Sequence, residues 1–159
     1  MAKPAEPLLT LPIIRHIDRW DDIHVTPLAD GTGFKTLRTF RVQYQVEDGT
    51  DYFLTIPIGF VTDWASIPGI FRTAWKSWGW WSRAALVHDC LYHHGAGEKS
   101  DADALFGVIL RMDEIPEEGH EGDIDAMVLA VRIGGRGNFD DPPPDAKEVL
   151  STKGYSHQI

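Results

Sequence analysis

Between residues 23 and 60, apolar and polar positions alternate in three runs, IHVTPL (23–28), FKTLRTFRVQYQV (34–46) and YFLTIPIGF (52–60). These runs are rich in Val, Ile, Thr, Tyr and Phe, which suit a half-buried pleated surface. Ala29-Asp30-Gly31-Thr32-Gly33 and Glu47-Asp48-Gly49-Thr50-Asp51 supply turn chemistry between them, and Asp48-Gly49 predicts a type I′ hairpin. A three-stranded antiparallel meander follows. Beyond residue 81 the period lengthens to that of a helix. Ser82 is the expected cap of a helix running to about His94 and stopped by Gly95 and Gly97. Ser100 is the expected cap of a second helix, Asp101 to about Met112, with Ala102, Leu105, Phe106, Ile109 and Met112 as its apolar stripe. A third, from about Asp123 to Arg132, turns Ile124, Met127, Val128 and Val131 inward and ends at Gly134-Gly135. Strands first and helices after predict an α+β fold: a small N-terminal antiparallel sheet, then an antiparallel helix pair and a third helix. Residues 1–15 read as an extended N-terminal arm, 16–140 as a single α+β domain and 141–159 as a polar C-terminal tail.

Composition narrows the functional classes. The 159 residues are 43% hydrophobic, enough for one domain with a real core. The formal net charge of −9 comes with no basic stretch, so no nucleic-acid partner is expected. Cys90 is the single cysteine; it rules out an intrachain disulfide framework and a cysteine-based zinc site, and its apolar helical setting predicts a buried, inert thiol. The opening MAKPAEPLLTLPIIRHIDRW holds one short apolar run broken by Pro7 and Pro12, which reads as neither a signal peptide nor a membrane span.

The chemistry gathers in RAALVHDCLYHHGAGEKSDADALF, residues 83–106. On a helical wheel Ala84, Ala85, His88, Leu91 and Tyr92 share one face, while Asp89 lies about 100° away. His88 and Asp89 therefore serve different partners. A histidine acts as a general base on water when an anion fixes its tautomer. Asp103 is the first choice for that anion and Asp101 the second. An aspartate beside it can hold a hard cation. Asp89 is the candidate, with Asp63 as a second metal ligand just past a strand end. Ser100-x-x-Asp103 also fits a capping box, in which Asp103 returns to the Ser100 backbone. Ser66 beside His88 would suggest a serine hydrolase, but no G-x-S-x-G elbow is present. His93 and His94 suit a helix C-terminus. Trp75, Trp78, Trp80 and Trp81 crowd into seven residues. They are a candidate binding surface or, equally, a wall for the helix pair. The acidic run Glu117, Glu118, Glu121, Asp123 and Asp125 reads as a solvated loop and helix start.

H-D-x-x-Y (residues 88–92) followed by D-x-x-F (103–106) resembles the active-site helix pair of phospholipases A2, especially the short prokaryotic type. The resemblance implies His88 as base, Asp103 as its dyad partner, Tyr92 as a supporting hydrogen bond and Asp89 as a ligand to Ca²⁺ or another divalent cation. The chain departs from those enzymes in lacking disulfides and a glycine-rich calcium loop. GFVTDWASIPGIF (59–71), then RAALVHDCLY, SDADALF and AVRIGG, is in turn similar to a family of phage and prophage proteins of unknown function. That likeness implies phage origin and a gene among tail and lysis functions. The expectation is a phage-encoded tail- or virion-associated protein with a metal-assisted hydrolase-like site directed at the host envelope, lipid ester ahead of peptidoglycan amide. Its expected partners are other tail or virion proteins and envelope lipid, and its expected location the virion or, during assembly, the host cytoplasm. The alternative is a non-catalytic tail-assembly protein whose His/Asp network is structural. The chemistry requires His88, Asp89 and Asp103 to converge on one cavity that solvent reaches.

Overall fold

The computed structural model describes residues 11–19, 21–63, 79–113, 121–133, 139–140, 142–144, 146 and 148–155. The α+β reading holds: short strands occupy the first half and helices follow. The strands form two sheets rather than one meander. The larger has the order β1 (His16–Asp18), β4 (Phe40–Gln45), β5 (Asp51–Ile56), β7 (Leu150–Ser151), and the smaller the order β2 (Val25–Pro27), β3 (Phe34–Thr36), β6 (Val61–Thr62). All the pairings are antiparallel.

FKTLRTFRVQYQV is thus two strands. Thr36 ends β3 with its hydroxyl bonded to the Pro57 carbonyl at 2.7 Å, and the chain bends at Leu37-Arg38 before β4 begins in the other sheet. The β4–β5 hairpin has a three-residue loop. Gly49 N–H donates to Val46 O at 3.0 Å, and among the loop residues Gly49 alone takes a positive φ, 89°. A type I′ turn needs two such residues, so this is a type I turn with a glycine bulge. Along β4, Phe40, Val42 and Tyr44 face inward opposite Ile56, Leu54 and Tyr52, and the Tyr44 and Tyr52 rings stack at 5.6 Å.

Part of the segment read as a polar C-terminal tail packs on the domain. Val149 is buried, β7 pairs with β5, and the Tyr155 ring packs edge-on against Phe53 at 5.2 Å. At the end of the arm, Arg15 N–H donates to Gln45 O at 2.8 Å, just before β1 pairs with β4.

Helices α1 (Ser82–His94) and α2 (Lys99–Asp113) pack against each other, with Arg83 bonded to Asp113 at 3.1 Å across the pair. Ser82 is not the cap. Trp81 holds that position, and the Ser82 hydroxyl turns back to accept from Gly79 N–H at 3.1 Å. Gly95 closes α1 in the left-handed conformation, its N–H reaching Tyr92 O and that of Ala96 reaching Leu91 O. A Cβ at Gly95 would sit 2.7 Å from the Phe139 carbonyl, so the position needs glycine twice over. Helix α3 (Glu121–Ile133) lies on α2, and Gly107 allows the approach: a Cβ there would meet a Val128 methyl at 2.9 Å. The core is one cluster that joins Phe40, Leu54 and Ile56 of the sheet to Leu86, Leu91, Phe106, Ile109, Ile124 and Met127 of the helices.

Gly33 governs how closely the entry to β3 approaches β6, the strand of the smaller sheet that leads to the site. A Cβ there would lie 2.5 Å from the Thr62 carbonyl oxygen, a backbone atom with little room to yield. Gly33→Ala is expected to destabilise the protein by about 1–3 kcal/mol through overpacking. Urea denaturation measures this, and an unchanged midpoint would mean that β3 and β6 part without cost.

Candidate active site

The site grows from the facing surfaces of α1 and α2. Ala84 and Ala85 on α1 and Ala102 on α2 are small and buried in the shared core. Between them His88 and Asp103 are each 2% exposed. His88 Nε2 donates to Asp103 Oδ1 at 2.8 Å, and the Tyr92 hydroxyl donates to the same oxygen at 2.5 Å. The imidazole is held on two flanks by rings, Tyr92 with its centroid at 4.0 Å and Phe106 at 5.0 Å. Lys99 Nζ takes the other carboxylate oxygen, Oδ2, at 2.8 Å.

These contacts set the protonation states. Burial by itself pushes the Asp103 carboxyl up, but hydrogen bonds from His88, Lys99 and Tyr92 together outweigh it and hold the group below the ordinary carboxylate value. The Tyr92 phenol is pushed well up, first by burial and then by its bond to that carboxylate, so it stays a donor. An ionised carboxylate only accepts, so Nε2 of His88 carries a ring proton. Cys90 is fully buried and burial drives its thiol upward, which keeps it inert.

The two halves of the expected constellation separate. His88, Asp103 and Tyr92 meet on the α2 side. Asp89 points the other way, where its Oδ2 accepts the Thr62 hydroxyl at 2.5 Å. That bond brings the end of β6, and with it the exposed Asp63, to α1. The expected single open cavity is therefore corrected: the dyad is buried and Asp89 serves a different partner, as the 100° between them on the helix dictates. Among the described residues no three His, Cys, Asp or Glu side chains come together as a metal group. Asp89 and Asp63 offer two carboxylates, against the six to eight oxygens that calcium takes, so the described residues do not complete a calcium site.

Asp103 does not close a capping box, because its oxygens are committed to His88, Tyr92 and Lys99 and the helix begins before Ser100. Asp101 stands at the opening of α2 as an acidic first-turn residue, and its carboxyl is raised by burial and by the neighbouring Glu98. His93 and His94 pack about Phe60 at 5.7 and 5.9 Å. Trp81 is fully buried and Trp80 half-buried against the core, so Trp81 is a wall of the helix pair and not part of a binding surface. Trp75, Trp78 and Ser66 lie outside the described residues. Lys99 was the residue overlooked in sequence; its position four before Asp103 on one helix was the available signal.

The family model described as "Protein of unknown function (DUF1353)" matches residues 39–118. The chain belongs to this family. The DUF1353 segment contains β4, β5, β6, α1 and α2, and with them His88, Asp89, Tyr92, Lys99 and Asp103, while α3 lies beyond it. No curated protein and no solved structure matches the chain.

Proposed function

We propose that this is a phage-encoded, tail- or virion-associated protein with a hydrolase-like site, His88 its base and Asp103 its orienting carboxylate, directed at ester bonds of host-envelope lipid. The observation that carries the proposal is the 2.8 Å bond from His88 Nε2 to an ionised, acceptor-only Asp103. An imidazole oriented by an anion in this way would act as the general base that takes a proton from water as the water attacks an ester carbonyl. Tyr92 shares Oδ1 and restrains the carboxylate. Phage origin and the envelope target rest on the sequence resemblances. The proposal is narrower than the sequence alone suggested: no step runs through a cation, and Asp89 with Asp63 are the carboxylates that would hold one if further ligands joined them. Turnover also requires the imidazole, 2% exposed, to gain access to water when substrate binds.

A second reading has its own support. The same burial, together with Lys99 bonded at once to α2 and α3, suits a non-catalytic assembly protein in which the network braces three helices. Phospholipid vesicles incubated with wild type and His88→Ala, with and without calcium, separate the two. The hydrolase-like site is expected to release fatty acid in the wild type and to fall to background in the variant. Equal release from both sinks it, and detection of the protein in purified virions would then favour the brace.

A further inference from the structure

We infer that Lys99 is the positioning residue of the His88–Asp103 dyad and makes the dyad's geometry conditional on the docking of α3. The role rests on the hydrolase-like site proposed above. An ammonium has three N–H donors, and Lys99 places all three: Asp103 Oδ2 at 2.8 Å, Val131 O at 3.2 Å and Arg132 O at 3.2 Å. The two carbonyls belong to the last turn of α3, where the helix dipole favours a cation. The side chain is 16% exposed and its Nζ lies 5.4 Å from the Tyr92 ring centroid, so solvent has little access to replace these bonds. Asp103 therefore cannot turn freely. One oxygen is taken by His88 and Tyr92, and the other by a cation that is itself anchored on a different helix. If the end of α3 moves, Lys99 must give up either its carbonyls or the carboxylate, and in the second case the imidazole loses its fixed orientation. The DUF1353 match stops before α3, so in this chain an element outside the matched segment reaches the dyad through Lys99 and, at 3.3 Å from Val131 O, through the Tyr92 hydroxyl.

The full chain labelled with ¹⁵N-histidine tests this by NMR, because the buried Nε2 proton of His88 should exchange slowly with solvent. His88→Gln assigns the signal by its absence. Lys99→Met keeps the length of the side chain and removes the charge, and it is expected to speed exchange of that proton at least tenfold or to broaden it away. Lys99→Arg is expected to restore it to within a few-fold. If Lys99→Met does not fold, as judged by circular dichroism, Lys99→Gln is read in the same way. An unchanged ring proton in the charge-free variant, even with faster amide exchange at the end of α3, would overturn the proposal and leave Lys99 a helix cap only. The readout does not use turnover, so absence of lipid hydrolysis by the wild type would remove the hydrolase-like reading while the Lys99 result stood or fell by itself.

Discussion

Asp103→Ala is expected to lower the unfolding free energy by about 3–5 kcal/mol, the range for breaking a buried ion pair from one side. The substitution leaves the Lys99 ammonium held between two carbonyls with no counter-charge, and removes the carboxylate that accepts from His88 Nε2 and Tyr92. The size of the loss comes from what stays behind in the low-dielectric interior rather than from the bonds themselves. A pH series sharpens the test. Folding holds the Asp103 carboxyl below its ordinary value of 3.8, so the unfolded chain binds its proton more readily than the folded one. The stability linked to that group is complete above the ordinary carboxyl range. It is lost as pH falls from there through the depressed folded value. The gap between wild type and Asp103→Ala in urea denaturation should accordingly be full at neutral pH and shrink below pH ~4. A gap that stays constant across that range would show that the carboxylate's charge contributes nothing to folding.

Trp81→Ala should rank beside it, at about 3–5 kcal/mol, the usual cost of emptying a large aromatic site in a packed core. Trp81 is 0% exposed and stands at the position that starts α1, so its removal opens a cavity where the helix enters the core. Trp80 is only half-buried, and Trp80→Ala is expected to cost clearly less. Two small and equal losses would contradict the placement of Trp81, and would return it to the candidate binding surface suggested by its aromatic neighbours. Denaturation followed by far-UV circular dichroism gives the comparison without relying on the fluorescence of the residues replaced.

The helices were legible because their signals are local. Gly95 ended α1 where expected, and the stripes of α2 and α3 hold buried positions at Ala102, Leu105, Phe106, Ile109, Ile124 and Met127. Met112 was the exception, since the end of the stripe runs out into solvent and leaves it exposed. His88 and Tyr92 could be placed on one face because helical spacing fixes it, whereas the choice of Asp103 over Asp101 on the next helix rested on the phospholipase A2 resemblance. The sheets were less legible. A strand of three residues such as HID, or of two such as LS, is too short to show alternation, and β1 and β7 exist because β4 and β5 offer edges to pair with. The break inside FKTLRTFRVQYQV depends on Thr36 finding the Pro57 carbonyl 21 residues away. The Thr62–Asp89 bond spans 27 residues and had no local trace either. The role of Trp81 stays open in the sequence because a dense run of tryptophans says only that something apolar is covered, not whether the cover is the chain itself or a partner.

The larger sheet finishes with a strand from the far end of the sequence. Leu54 waits for Leu150, roughly a hundred residues later, and the helices are made in between. During synthesis the outer edge of β5 therefore emerges early with its backbone groups unpaired, a template for wrong pairing until the last turn of the chain arrives. Newly made chains are most exposed to misassembly in that interval, and a chaperone or a fast-closing helical half would protect them by shortening it.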